Sequence, residues 1–413
     1  MKTALCLDYD SFLKGNFLIL ILTWILMSFS GPIPQTYSSL FFKNLGADDF
    51  LLGVIGFAGS ITLALVQFPG GYLADKHGRR RLIVTMTYGM TFSYILFIFA
   101  PSWPFIVLGL IIQNFCLLYQ PALFALMLDS VPPERRGAGF TIQSVIMNIV
   151  SLPAAIIAGF LILIFDLDLE MRIAYTIAFA AFFAASTLRI KLKETHTSNN
   201  CERFPNLLEA LREYPKAVRE GLQVWQRVPK ATLHLYTIMS AITSLVAGCQ
   251  MYFVVYATNV LNLDKFQWAI VTAFMSVSVA VPAILAGSRM DVAGRKRYLI
   301  ISLLLYAPAM LIFLNASFNT LLISFFLFGL AQTLLGTSYN SLVGDLTPRD
   351  LRGKVIGCGQ FFMYLSQAIT QLLAGALYSY VSPQLPFILL AIGAIPLAII
   401  ASVKILEPSA KQV

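Results

Sequence analysis

Residues 71–81 read GYLADKHGRRR, and residues 287–297 read GSRMDVAGRKR. Gly71, Asp75, Gly78, Arg79 and Arg81 recur as Gly287, Asp291, Gly294, Arg295 and Arg297, each 216 residues later. Working outward, Leu45, Asp48 and Phe50 return at Leu261, Asp264 and Phe266. Asp129, Pro132, Arg136 and Gly137 return at Asp345, Pro348, Arg352 and Gly353. Chance matches would not hold one register over more than ninety positions. The chain therefore reads as two halves of the same topology, a parallel repeat with its axis along a membrane normal.

The membrane follows from composition. Of 413 residues, 58% are hydrophobic and only 12% charged, and the mean hydropathy is +0.77. A soluble domain carries about a quarter of its residues as charges. Apolar runs of about 20 residues, each long enough to span a bilayer as a helix, recur at roughly 15–43, 50–74, 82–100, 104–128, 138–164, 172–190, 231–260, 265–289, 298–316, 319–344, 353–380 and 384–405. A barrel would need short alternating segments, and these runs are continuously apolar. The expected fold is an all-α integral membrane protein with twelve transmembrane helices in two six-helix pseudo-repeats. Its divisions are a first bundle over 1–190, a linker over 191–230 and a second bundle over 231–413.

With the N-terminus placed in the cytoplasm, 26 of the 29 Lys and Arg fall on the cytoplasmic side, leaving Lys43, Arg172 and Lys265 outside. That bias predicts both termini inside, in the plasma membrane. It also accounts for the net charge of +9 through anionic lipid headgroups rather than nucleic acid. Cys6, Cys116, Cys201, Cys249 and Cys358 have no metal-site spacing and suggest no disulfide framework. The first apolar run lacks a convincing cleavage site and is read as a span. In the linker, Leu211, Val218, Leu222 and Trp225 fall on one helical face, as in a helix lying on the membrane surface.

Twelve spans in two parallel halves, with G-x-x-x-D-x-x-G-R-[RK]-x-[RK] between spans two and three, resemble the major facilitator superfamily. The match here is Gly71, Asp75, Gly78, Arg79, Arg80 and Arg81, with its second copy at 287–297. The corner after span four, Asp129 to Gly137, is also similar to that family. The resemblance implies a conformational latch between the halves. Gly71, Asp75, Gly78, Arg79, Arg80, Asp129 and Arg136 form one cluster, and Gly287, Asp291, Gly294, Arg295, Asp345 and Arg352 its partner. The residue chemistry agrees: a tight turn at Gly78 brings Arg79 near Asp75, and Gly71 permits close backbone approach.

No acidic or basic residue lies deep in a span, so no proton relay is visible and a charged solute is expected to lack a counter-charge. A coupling proton or ion is left open, and no cofactor or metal is expected. Span four lacks the Arg of proton-coupled relatives, with Gly109 near its place. The drug-antiporter Gly-Pro stretch of span five is reduced to Pro153 among apolar neighbours. In the family, spans 1, 4, 7 and 10 line the cavity. They offer Gln35 and Tyr37; Gln113, Asn114 and Gln120; Gln250, Tyr252 and Tyr256; and Gln332, Tyr339 and Asn340. Pro32 and Pro34 are placed to unwind span one and expose carbonyls. Stripes on span five (Ser144, Asn148, Ser151) and span eleven (Gln360, Tyr364, Gln367, Gln371) read as helix-to-helix hydrogen bonding.

The leading expectation is a monomeric secondary transporter working by alternating access, which exports lipophilic or amphipathic organic solutes. The alternative is a facilitator or symporter for a neutral polar solute such as a sugar. A non-transporting sensor or scramblase is the reading from another class. An enzyme is not expected, since no nucleophile–base pair, metal cluster or phosphate loop is present.

Overall fold

The computed structural model describes residues 14–132, 136–195, 228–347 and 352–405, with isolated positions 215, 219, 223 and 225 in the linker. The first span is broken into α1 (Gly15–Ser30), α2 (Pro32–Gln35) and α3 (Ser38–Asn44). Then come α4 (Asp49–His77) and α5 (Arg79–Ile98). The fourth span is α6 (Trp103–Cys116), a 3₁₀ turn at Leu117–Tyr119 and α7 (Gln120–Ser130). α8 (Arg136–Ile164) and α9 (Leu167–Arg189) complete the first half. The second half holds α10 (Lys230–Gln250), α11 (Phe253–Asn259), α12 (Lys265–Ala293), α13 (Arg295–Leu314), α14 (Phe318–Leu346), α15 (Arg352–Tyr380) and α16 (Leu385–Lys404).

The sequence repeat is a structural repeat. Both ends of α4, α5 and α8 recur 216 residues later as the ends of α12, α13 and α15. Gly78 and Gly294 both sit at positive φ, +85° and +92°, where only glycine turns without strain. Gly46 and Asn262, another pair in that register, also share the left-handed region.

Eleven helical segments among the described residues are long and apolar enough to cross a membrane. The remaining long helix, α15, has 29 residues and carries Gln360, Tyr364, Gln367 and Gln371, which lower its hydropathy. The fold is an all-α, twelve-helix membrane bundle, as the sequence predicts.

The breaks in span one follow from its prolines. Pro32 and Pro34 carry no N–H, so the helix ladder loosens around them. In span four, Pro121 opens α7 and the tighter turn forms just before it. Its repeat position is Thr337, and there α14 runs unbroken over 29 residues.

The halves pack against each other along α4 with α15 and α8 with α12. Both interfaces close on small residues. A Cβ on Gly53 would stand 2.8 Å from the Gly375 Cα, and one on Gly159 would stand 2.7 Å from the Ala269 Cβ. Residues 53 and 269 occupy one repeat position, and 159 and 375 another. One contact has therefore been built twice. With no hydrophobic drive between helices in lipid, such close approach is what binds them.

Most of the linker helix expected on the membrane surface lies outside the described residues. Trp225 packs edge-on against Tyr236 and Phe362 of the second half, at ring centroid distances of 5.2 and 6.1 Å.

Candidate functional site: two corners, a seal and a cavity

The bundle has two ends. One carries the Gly-Arg turns at 78–81 and 294–297 and is called here the corner end. The far end carries Lys43, Asp49 and Lys265.

At the corner end each arginine turns back into its own half. Arg79 Nη1 pairs with Asp129, and Arg295 Nη1 with Asp345. These pairs link the start of the third helix to the end of the fourth, once per half. The carboxylate of Glu194 accepts from the backbone N–H groups of Arg79 (3.3 Å) and Arg80 (3.0 Å). An acid at a helix N-terminus satisfies free N–H groups and suits the dipole. Arg80 donates to the Ile190 carbonyl at 2.7 Å. The first corner is thus tied to the start of the linker. The surroundings of Gly71 and Gly287, and the side chains of Asp75, Arg136, Asp291 and Arg352, lie outside what is described.

At the far end the two halves hydrogen-bond to each other. Tyr37 donates to the Lys265 carbonyl at 2.6 Å, and Tyr252 donates to the Asp49 carbonyl at 2.9 Å. Asp49 and Lys265 are repeat partners, so a phenol from each half binds the first turn of a helix in the other. Trp268 Nε1 donates to the Thr36 carbonyl at 3.1 Å, which uses a backbone group near the break in span one. Ser39 meets Met251 Sδ at 3.6 Å, and farther in Ser60 donates to Gln371 Oε1 at 2.8 Å. Phe50 with Tyr380 and Phe160 with Phe266 add ring contacts across the same seam.

Between seal and corners lies a cavity of about 970 Å³. Such a volume is at the upper end of small-molecule sites. Gln35, Gln113, Asn114, Gln120 and Gln250 line it, with Gln143 and Gln371. Met27, Met90, Met127, Met147 and Met251 supply soft apolar surface, and Trp24, Tyr94, Phe97 and Trp268 supply rings. The break in span four places Tyr119 and Gln120 on the wall.

The remaining residues of the sequence-derived cavity set are elsewhere. Tyr37 and Tyr252 are buried in the far-end seal, and Tyr256 is buried against Phe313 and Phe387 with its hydroxyl on the Leu314 carbonyl. Four-residue spacing puts Tyr252 and Tyr256 on one face, but which neighbour that face meets is set after the helix breaks at Met251–Tyr252. Gln332, Tyr339 and Asn340 on α14 are outside this cavity's lining, and Tyr339 stacks edge-on with Tyr236 instead. Gln371, read from sequence as a helix-to-helix contact, does both jobs.

Two charged residues escaped the sequence reading because they sit at the ends of a span. Glu170 and Arg189 open and close α9, and both are 0% exposed. Neither oxygen of Glu170 has a hydrogen-bond partner among the described residues. Arg189 counts among the cytoplasmic-side cations, yet it is folded into the bundle and reaches the cavity wall. The expectation of a wall without charge is corrected at that position. A span-end charge can fold inward wherever neighbouring helices offer acceptors, which position along the chain does not reveal.

The sequence model of the Major Facilitator Superfamily matches residues 15–288 and 236–413. The chain belongs to the major facilitator superfamily. It is accordingly a multi-pass membrane protein and a secondary transporter of the superfamily, rather than an enzyme. An uncharacterized superfamily transporter of Methanocaldococcus jannaschii is 24% identical over 395 residues, 92% of each chain. The multi-drug resistance efflux pump PmrA of Streptococcus pneumoniae is 22% identical over 340 residues, covering 81% of this chain and 82% of the pump. A solved POT family transporter in complex with 5-aminolevulinic acid superposes with a TM-score of 0.75 at 14% identity, over 94% of this chain and 95% of that one. This last likeness concerns the fold alone.

Proposed function

We propose that this transporter exports small lipophilic or amphipathic organic compounds by alternating access. The observation that carries the reading is the cavity: amides, methionines and aromatic rings around about 970 Å³, with hydrogen bonds between the halves at one end. Thioethers and rings adapt to varied apolar shapes, while scattered amides orient a polar group. The likeness to a multi-drug efflux pump points the same way.

In this reading the corner end faces the cytoplasm, where Lys and Arg are concentrated. The structure is then the inward-facing state. The far-end seal is closed, and Arg79 and Arg295 each pair within their own half. In the outward-facing state the seal parts and the corner clusters of 71–81 and 287–297 meet, so the corners act as the latch. The chain works as a monomer in the plasma membrane, with bundles over 1–190 and 231–413 rocking about the α4–α15 and α8–α12 seams.

A facilitator for a neutral polar solute such as a sugar is the second reading, favoured by the amides Gln35, Gln113, Asn114, Gln120 and Gln250. Proteoliposome flux separates the two. The proposal predicts movement of lipophilic dyes out of the corner-side compartment and no sugar counterflow. Sugar counterflow without dye movement would reverse the choice.

A further inference from the structure

We infer that the cavity selects organic anions through Arg189, an inference that rests on the lipophilic-cavity reading above. Among the described residues, Arg189 is the sole charged residue at the cavity wall. Its guanidinium is 0% exposed and forms no ion pair among the described residues. Neutral groups hold it instead: Nε donates to Thr23 Oγ1 at 3.3 Å, Nη1 donates to Thr87 Oγ1 at 2.8 Å, and the Tyr119 ring lies 5.3 Å away. Those hydroxyls in turn donate to the Leu20 and Ile83 carbonyls, so their free lone pairs face the cation.

The internal repeat supplies a control. The positions equivalent to Arg189, Thr23, Thr87 and Tyr119 in the second half are Ile405, Met239, Leu303 and Leu335. All four are buried. The fold therefore closes this region with apolar side chains in one half and with a cation in the other. A buried charge without a counter-charge is costly, and apolar replacements of similar volume are often neutral or stabilising. Holding the helices together does not require the arginine, as the second half demonstrates.

What the cation does supply is a positive field at the cavity wall. At a given distance, Coulomb attraction is stronger where the effective dielectric is below that of bulk water. A carboxylate, sulfonate or phosphonate on an apolar body gains from that field while its body takes the methionines and rings. An ammonium of the same shape is repelled. Because the guanidinium is buried within the wall, it acts through its field and needs no direct contact.

The test is binding of a matched series, 2-naphthoate, 2-naphthamide and 2-naphthylmethylammonium, to the purified full chain in nanodiscs of zwitterionic lipid. The inference predicts naphthoate tighter than naphthamide by about tenfold or more, and the ammonium weaker than both. In Arg189→Gln the preference disappears while naphthamide binding persists, and in Arg189→Lys the order returns. A merely structural arginine would weaken all three probes alike. Should Arg189→Gln fail to fold, the wild-type order and the Lys variant still decide. Equal binding of all three, or tighter ammonium binding, overturns the anion inference but leaves the lipophilic cavity standing. No binding by any of the three fails the cavity reading itself. If phosphatidylglycerol in the disc abolishes the naphthoate gain, the occupant is a lipid headgroup, and the proposal of a small solute is overturned.

Discussion

The two ends of the bundle contain the same repeat, used in opposite ways. At the far end, Tyr37 and Tyr252 reach from one half into the other and bind repeat-related carbonyls at Lys265 and Asp49. At the corner end, Arg79 and Arg295 reach back to Asp129 and Asp345 of their own halves. Bonds between halves close the far end, while the two described ion pairs at the corner end each stay within one half. In the proposed reading the far end is the shut one, and these are the groups that exchange partners when the other end shuts.

Several changes would break that contrast, beginning with the largest effect. A short thiol cross-linker between Ser39→Cys and Met251→Cys, neighbours at 3.6 Å across the seal, is expected to stop transport altogether. Reversal of the block by reductant, with a cleavable linker, checks it. Next, Gly53→Val places bulk where a Cβ already stands 2.7 Å from the Gln371 carbonyl oxygen and 2.8 Å from the Gly375 Cα. Overpacking of this kind costs about 1–3 kcal/mol or more. The cost falls on the sealed state, so thiol labelling from the far side should increase in this variant.

A corner substitution sharpens the comparison from the other end. Asp129→Asn removes the Arg79 pair, and because Asp129 is 40% exposed the loss in stability should be below about 1 kcal/mol. Transport, however, should fall several-fold, and Asp345→Asn should do the same if the two corners share one task. Melting temperature and flux, measured on the same preparation, separate the two effects. The smallest effect expected is for Trp268→Phe, which deletes one hydrogen bond to the Thr36 carbonyl and keeps the ring. A net loss of about 1 kcal/mol would shift the balance between the two states by about fivefold.

Much of this architecture was legible in the sequence because it depends on period and length. Apolar runs fixed the helices, and a single 216-residue register fixed the two-half topology. The prolines at 32 and 34 announced the break in span one, and Gly78 announced a tight turn, which the structure places at positive φ and repeats at Gly294. The cavity was only half legible. Gln35, Gln113, Asn114, Gln120 and Gln250 reach it, while Tyr37, Tyr252 and Tyr256 are spent on packing and on carbonyls of neighbouring helices. Helical spacing says which residues share a face, but not which neighbour that face will meet. Arg189 and Glu170 were missed for a related reason. A charge at the end of a span reads as solvated, and only the packing of α9 against the rest of its half shows both to be buried.

The halves also differ in a way that no register of matching residues announces. Pro121 breaks span four and turns Tyr119 and Gln120 toward the cavity, whereas Thr337 leaves α14 continuous. Arg189 stands where the second half has Ile405. The described cavity draws most of its wall from the first half.

The central claim is that the far-end seal and the corner end open and close reciprocally. Pulsed spin-label distances test it most directly, with one pair at exposed far-end positions Asn44 and Asn262 and another at exposed corner positions Arg81 and Arg297. The account predicts two populations in which the far-end distance lengthens as the corner distance shortens, with Gly53→Val enriching the second. A corner distance that stays fixed while the far end opens would contradict it.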